Sequence, residues 1–99
     1  MDGPDRISFL GGRCPANFQL RTVILQPGDA LDYQPADWVD TLVVVERGEL
    51  DIECRGGERA LFLAGAVLVF AGLTPRCLRN PGGVPLVLSV LSRSRPADR

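Results

Sequence analysis

An all-β fold is predicted by three features of this 99-residue chain: its apolar runs are short, glycine, proline, Asp or Asn interrupts them at close intervals, and no stretch sustains a 3.6-residue period. A single domain is expected, because a chain of about 100 residues builds one hydrophobic core and has no room for a second. Hydrophobic residues at 45% and charged residues at 23% fit a globular protein and argue against disorder or a fibrous repeat.

The chain divides into an N-terminal arm of residues 1–15 with a weak first strand from Ile7 to Leu10, a β domain of residues 16–92, and a polar, frayed tail of residues 93–99. Phe18 to Leu25 alternates apolar and polar residues and turns apolar at its end, as a strand entering a buried sheet does. Pro27-Gly28-Asp29 turns the chain. Trp38 to Val45 ends in the β-branched run Leu42-Val43-Val44-Val45, which reads as a strand buried on both faces and closed by a turn at Gly48.

Glu49 to Cys54 alternates cleanly, with Leu50, Ile52 and Cys54 on one face and Glu49, Asp51 and Glu53 on the other, before a hairpin loop at Arg55-Gly56-Gly57-Glu58. Cys54 thus reads as a small core hydrophobe. Arg59 to Leu63 returns as a strand, Ala64-Gly65 turns, Val67 to Phe70 is a short buried run, and Ala71 to Pro75 is a loop. Arg76 to Arg79 is strand-like, Asn80-Pro81-Gly82-Gly83 is a strong turn, and Val84 to Leu91 is the last and most apolar strand. About eight strands joined by short loops make a sandwich, a jelly roll or a small barrel.

Composition narrows function chiefly by exclusion. The chain has no histidine, which removes Ser-His and Cys-His nucleophile pairs, a histidine general base and a His-rich metal site. All the basic residues are arginines, scattered among carboxylates at a net charge of −1, so the positive footprint that nucleic acid requires is missing. Cys14, Cys54 and Cys77 are far apart and form no CxxC pair, hence neither a disulfide scaffold nor a zinc ribbon. An acidic N-terminus without a signal-peptide pattern, and the lack of an apolar run near the ~20 residues that span a bilayer, predict a cytoplasmic protein that does not engage membranes.

Two glycine-anchored blocks select among the β architectures. The spacing Gly, five residues, His-x-His, four residues, Glu, six residues, Gly is occupied by Gly28, Gln34, Ala36, Thr41 and Gly48. The spacing Gly, five residues, Pro-x-Gly, two residues, His, three residues, Asn is occupied by Gly65, Ala71, Leu73, Arg76 and Asn80. In these anchors, and in the phrases Val45-Glu46-Arg47-Gly48-Glu49-Leu50 and Leu78-Arg79-Asn80-Pro81-Gly82, the chain resembles the cupin superfamily from about Thr22 to Leu91. The resemblance implies a cupin-type jelly-roll β-barrel of about eight short antiparallel strands. The glycine of Pro-x-Gly would fall at Leu73, whereas the sequence has Ala71-Gly72, so a one-residue bulge before Arg76 would turn Cys77 inward in its place.

In the family, the two histidines, the Glu and the second-motif histidine hold a metal inside the barrel. Here those slots are a carboxamide, a methyl, a hydroxyl and a permanent cation, so no metal and no other cofactor is expected. The slots would build a pocket with an apolar floor from Ala36, Val43 and Val45, and oriented polar groups from Gln34, Thr41 and either Arg76 or Cys77. Arg76 would receive a carboxylate, phosphate or enolate, or would pair with Asp37, Asp40 or Glu46, or reach out over the rim. Tyr33 and Trp38 would stack on a planar ligand, with the Tyr33 hydroxyl as an acid, or would fill a barrel end. Asp29, Asp32, Asp37 and Asp40 offer paired carboxylates or a solvated loop.

The function these residues imply is a metal-independent barrel that binds a small, through Arg76 anionic, organic ligand as a sensor or accessory module. A metal-free isomerase, epimerase or cyclase is the alternative, though it lacks its usual base, and a packed-shut structural module is the third reading. The resemblance also implies a homodimer, which would cover a sheet edge.

Overall fold

The computed structural model describes residues 17–93. Eight strands form two antiparallel four-stranded sheets: β1 (Phe18–Leu25), β2 (Ala30–Asp32), β3 (Thr41–Arg47), β4 (Glu49–Cys54), β5 (Arg59–Leu63), β6 (Val67–Leu68), β7 (Pro75–Arg79) and β8 (Leu86–Arg93). One sheet runs β1-β8-β3-β6 and the other β2-β7-β4-β5, so each interleaves early and late strands as a jelly roll does.

Several elements differ from the sequence expectation for identifiable reasons. The strand proposed at Ile7 to Leu10 lies outside the described residues, and the short β2 was not foreseen. Trp38 does not begin a strand: Pro35 opens a single 3-10 turn, Pro35–Trp38, in which the Asp37 N–H donates to the Gln34 carbonyl at 2.9 Å. The Val67 to Phe70 run is regular only through Leu68, and the last strand starts at Leu86. That strand also extends to Arg93, which had been placed in the tail, because Arg93 pairs with Phe18 at the start of β1.

The core lies between the two sheets. Val43 and Val45 of β3 and Leu86, Leu88 and Val90 of β8 face Leu50 and Ile52 of β4 and Leu78 of β7, all eight at 0% exposure. Val44 and Ser89, on the opposite face of the first sheet, are buried as well, as the β-branched run predicted. There Glu46 is the extra residue of a bulge opposite the Leu88-Val87 step, and its buried carboxylate accepts a hydrogen bond from the Ser89 hydroxyl at 2.6 Å.

A second bulge falls in β7. Cys77 pairs with Glu53 and Pro75 with Cys54, so Arg76 is extra and its side chain leaves the sheet for solvent. The bulge falls at Arg76 itself and not before it, and it releases Arg76 without turning Cys77 into the core. Cys77 stays half-buried beside Glu53, and it is Leu78 that packs inside.

One end of the barrel is closed by Asn80, which is 1% exposed. Its side-chain amide donates to the carbonyls of Leu25 (3.0 Å) and Val84 (2.8 Å), and its side-chain oxygen accepts the Gly82 N–H at 2.9 Å. Its backbone exchanges two more bonds, Gly28 N–H to Asn80 O and Asn80 N–H to Asp29 O, both 3.0 Å. Of these five hydrogen bonds, three tie the β1–β2 turn to the β7–β8 turn and two brace the β7–β8 turn itself. Gly48 completes this end: its φ is +82°, and a Cβ there would sit 2.7 Å from the Pro85 carbonyl oxygen.

Asn80→Ala should lower stability by about 2–4 kcal/mol, because it deletes three side-chain bonds and leaves two inward carbonyls without a donor. Urea unfolding measures this, and Asn80→Asp, which keeps the shape but not the amide donors, should be comparably damaging. Gly48→Ala is expected to cost roughly 1–3 kcal/mol from strain at positive φ together with the clash; an unchanged unfolding midpoint would contradict the packing described at Pro85.

Candidate functional site

The other end of the barrel is open, and the 3-10 turn shapes it. Tyr33 leaves β2 with its N–H donated to the Arg76 carbonyl at 3.0 Å. The coil from Pro35 then swings Trp38 inward, to 5% exposure, and leaves Gln34 and Ala36 facing solvent. The Thr41 hydroxyl donates to the Trp38 carbonyl at 2.7 Å, which joins the turn to β3. Between them Asp40 takes φ +54°, a left-handed conformation that Asp tolerates better than bulky residues do.

Trp38 belongs to an aromatic trio. Its ring lies near-parallel to that of Tyr33, with centroids 6.3 Å apart and an interplanar angle of 17°, while Phe70 meets both rings edge-on at 5.5 and 5.2 Å. Such offset and edge-on pairs are worth roughly 0.5–1.5 kcal/mol each beyond burial. Arg21 of β1 covers the Trp38 ring, its guanidinium carbon 5.0 Å from the centroid, and its Nη2 donates to the Asp37 carbonyl at 2.8 Å.

A cavity of about 680 Å³ opens beside the trio. Tyr33, Trp38 and Phe70 line it together with aliphatic groups such as Val69 and Leu91, and Thr41, Asp40 and Arg93 add polar groups at its edge. This balance of apolar wall and few directed polar groups, at this size, is that of a small-molecule site.

Three of the sequence-expected site residues, Tyr33, Trp38 and Thr41, meet in this cavity. The other five do not. Gln34 is exposed, and Ala36 borders a neighbouring hollow, because the 3-10 turn rotates both away from the barrel. Val43, expected as pocket floor, is packed into the core below. Arg76 is carried out by its bulge and lies 3.7 Å from Glu53, not from Asp37, Asp40 or Glu46. Cys77 shares its strand row with Glu53 and Asp32, away from the cavity.

The residues that sequence reasoning missed are instructive. Phe70 carried a usable signal, an aromatic directly before the Ala71 slot. Phe18 and Arg93 carried none, since only the β1–β8 pairing brings the start of β1 and the end of β8 to this rim.

The cupin metal slots do not rebuild a metal site. Gln34 and Ala36 point away, the Thr41 hydroxyl is committed to Trp38, and Arg76 is a cation held against Glu53. Among the described residues no three His, Cys, Asp or Glu side chains converge as ligands.

Three arginines elsewhere are paired with carboxylates, while Arg47 and Arg55 have no ion-pair partner among the described residues. On the outer face of the second sheet, Arg59 contacts Asp51 at 2.6 Å, Arg79 lies 3.4 Å from Glu53 and 3.9 Å from Asp51, and Arg76 reaches Glu53. The Asp51 carboxylate, first by its hydrogen bond and then by its charge, pushes Arg59 still further above its ordinary range.

No protein-family model and no curated protein matches the chain. Solved structures do. The cupin-2 domain of an XRE family transcriptional regulator from Enterobacter cloacae is 28% identical over 82% of this chain and 84% of that one, with a TM-score of 0.63. A cupin-2 domain containing protein from Shewanella frigidimarina superposes with a TM-score of 0.53 at 13% identity, covering 80% of this chain and 72% of that one. With two interleaved antiparallel sheets, glycine and asparagine anchors at the family spacing and these structural neighbours, the fold of this chain is that of the cupin superfamily.

Proposed function

We propose that this chain is a cupin module that receives a small organic ligand at the open end of its barrel without a metal, as a sensor or accessory domain and not as a catalyst. The cavity beside the Tyr33–Trp38–Phe70 trio carries this reading: it has the volume and the apolar lining of a ligand site, and it lies where one barrel end is unfilled while the interior behind it is packed. A sensory role is supported by the 28% identity to a cupin domain that belongs to a transcriptional regulator.

The packed interior favours one further reading, an interaction module whose open-end hollow takes no ligand. The proposal also places the module in the cytoplasm as a homodimer. Free thiols at Cys54 and Cys77 suit a reducing compartment, and the edge strand β5 presents Leu61 and Leu63, 55% and 57% exposed, as surface that a second copy would cover.

A native mass spectrum of protein purified without chelators tests these points together. The expected species is a dimer free of metal that retains an organic mass or takes up an added apolar probe such as naphthylacetamide. Ala71→Trp, which fills the cavity from an exposed lining position, should abolish that uptake while leaving the fold intact. Stoichiometric metal would overturn the metal-free reading, and uptake that is unchanged in Ala71→Trp would move the ligand elsewhere.

A further inference from the structure

The cavity has a neighbour. A second hollow, lined in part by Arg21, Ala36, Asp37 and Ser92, shares Val39 and Arg93 with the first, so the two form one continuous surface running over Val39. Its cations differ from those of the second sheet. Arg59, Arg76 and Arg79 are each held to Asp51 or Glu53, whereas Arg21 and Arg93 have no ion-pair partner among the described residues. Arg21 is also held in place, by its contact with the Trp38 ring and by one bond from Nη2 to a backbone carbonyl, which leaves its remaining N–H groups uncommitted among the described residues.

Two carboxylates must be weighed against them. Asp37 lines the second hollow and Asp40 the first, so the rim as a whole is balanced in charge, and a cationic ligand is the competing choice. Geometry favours the arginines. A guanidinium offers a planar fork that matches a carboxylate with two parallel bonds, and Arg93 lines both hollows at their boundary.

We infer that the ligand is an amphipathic carboxylate: its aromatic or alicyclic body fills the cavity against Tyr33, Trp38 and Phe70, and its carboxylate crosses Val39 to lie against Arg93, with Arg21 as second donor. This rests on the small-molecule reading above and names the ligand class and its selecting residues. The anion would then lie not at Arg76, one of the places the sequence offered, but at Arg93 on the edge of the cavity and Arg21 in the neighbouring hollow.

Calorimetric titration with three probes of one shape, naphthylacetate, naphthylacetamide and naphthylethylamine, tests it on the full chain. The acid should bind at least about tenfold more tightly than the amide, with the amine weakest, and its advantage should shrink as salt is raised. Arg93→Gln, an exposed substitution whose folding is checked by its urea midpoint, should bring acid and amide to within about twofold, chiefly by weakening the acid. Equal binding of acid and amide to the native protein, or an acid preference that survives Arg93→Gln, would overturn this inference and leave the small-molecule reading standing. Tightest binding of the amine would assign the rim to Asp37 and Asp40 instead. If no probe binds, both readings fall together.

Discussion

The amide of Asn80 is the interaction on which the rest of this barrel depends. Two turns, one after β1 and one after β7, meet at the closed end, where the carbonyls of Leu25 and Val84 both accept from the Asn80 amide. A carboxamide satisfies them because it is both a donor and an acceptor on one short stem, and a buried polar group is tolerated only when its bonds are made. Once those turns are joined, β1 and β7 are positioned in different sheets, and the core between the sheets follows from strand alternation.

The two ends of the barrel are built on different physics. At the closed end the residues are chosen for backbone conformation and hydrogen bonding: Gly28 and Gly48 at positive φ, and Asn80 as a substitute for main-chain partners. At the open end the contacts are aromatic and cationic. A proline-initiated 3-10 turn occupies the place where the family carries its first pair of metal ligands, and the bulge at Arg76 removes the last slot. The departure from the family's metal-binding spacing is thus one of backbone path as well as of side chains.

Charge is distributed by the same division. On the outer face of the second sheet, carboxylates of β4 alternate with apolar core residues, so the arginines of the flanking strands find them across the ladder. At the open end the strands terminate, no ladder places a carboxylate opposite Arg21 or Arg93, and their charge remains available to solvent or to a ligand.

The all-β class, most of the strands and the turns at Gly28 and Gly48 were legible in the amino-acid order, because they rest on local rules: period-two alternation in Glu49–Cys54, β-branched burial in Thr41–Arg47, and glycine where φ must be positive. That Tyr33, Trp38 and Thr41 would lie together was also legible, since they are within a few positions of one another. The remainder depended on pairings distant in sequence. Whether Arg76 faces in or out is set by a one-residue mismatch between β4 and β7, and the meeting of Phe18, Phe70 and Arg93 at one rim is set by the registers of β1, β3 and β8. Such registers are the sum of many weak cross-strand contacts, and no single residue announces them; the chain order therefore specifies the frame, while three-dimensional pairing specifies which side chains share the cavity.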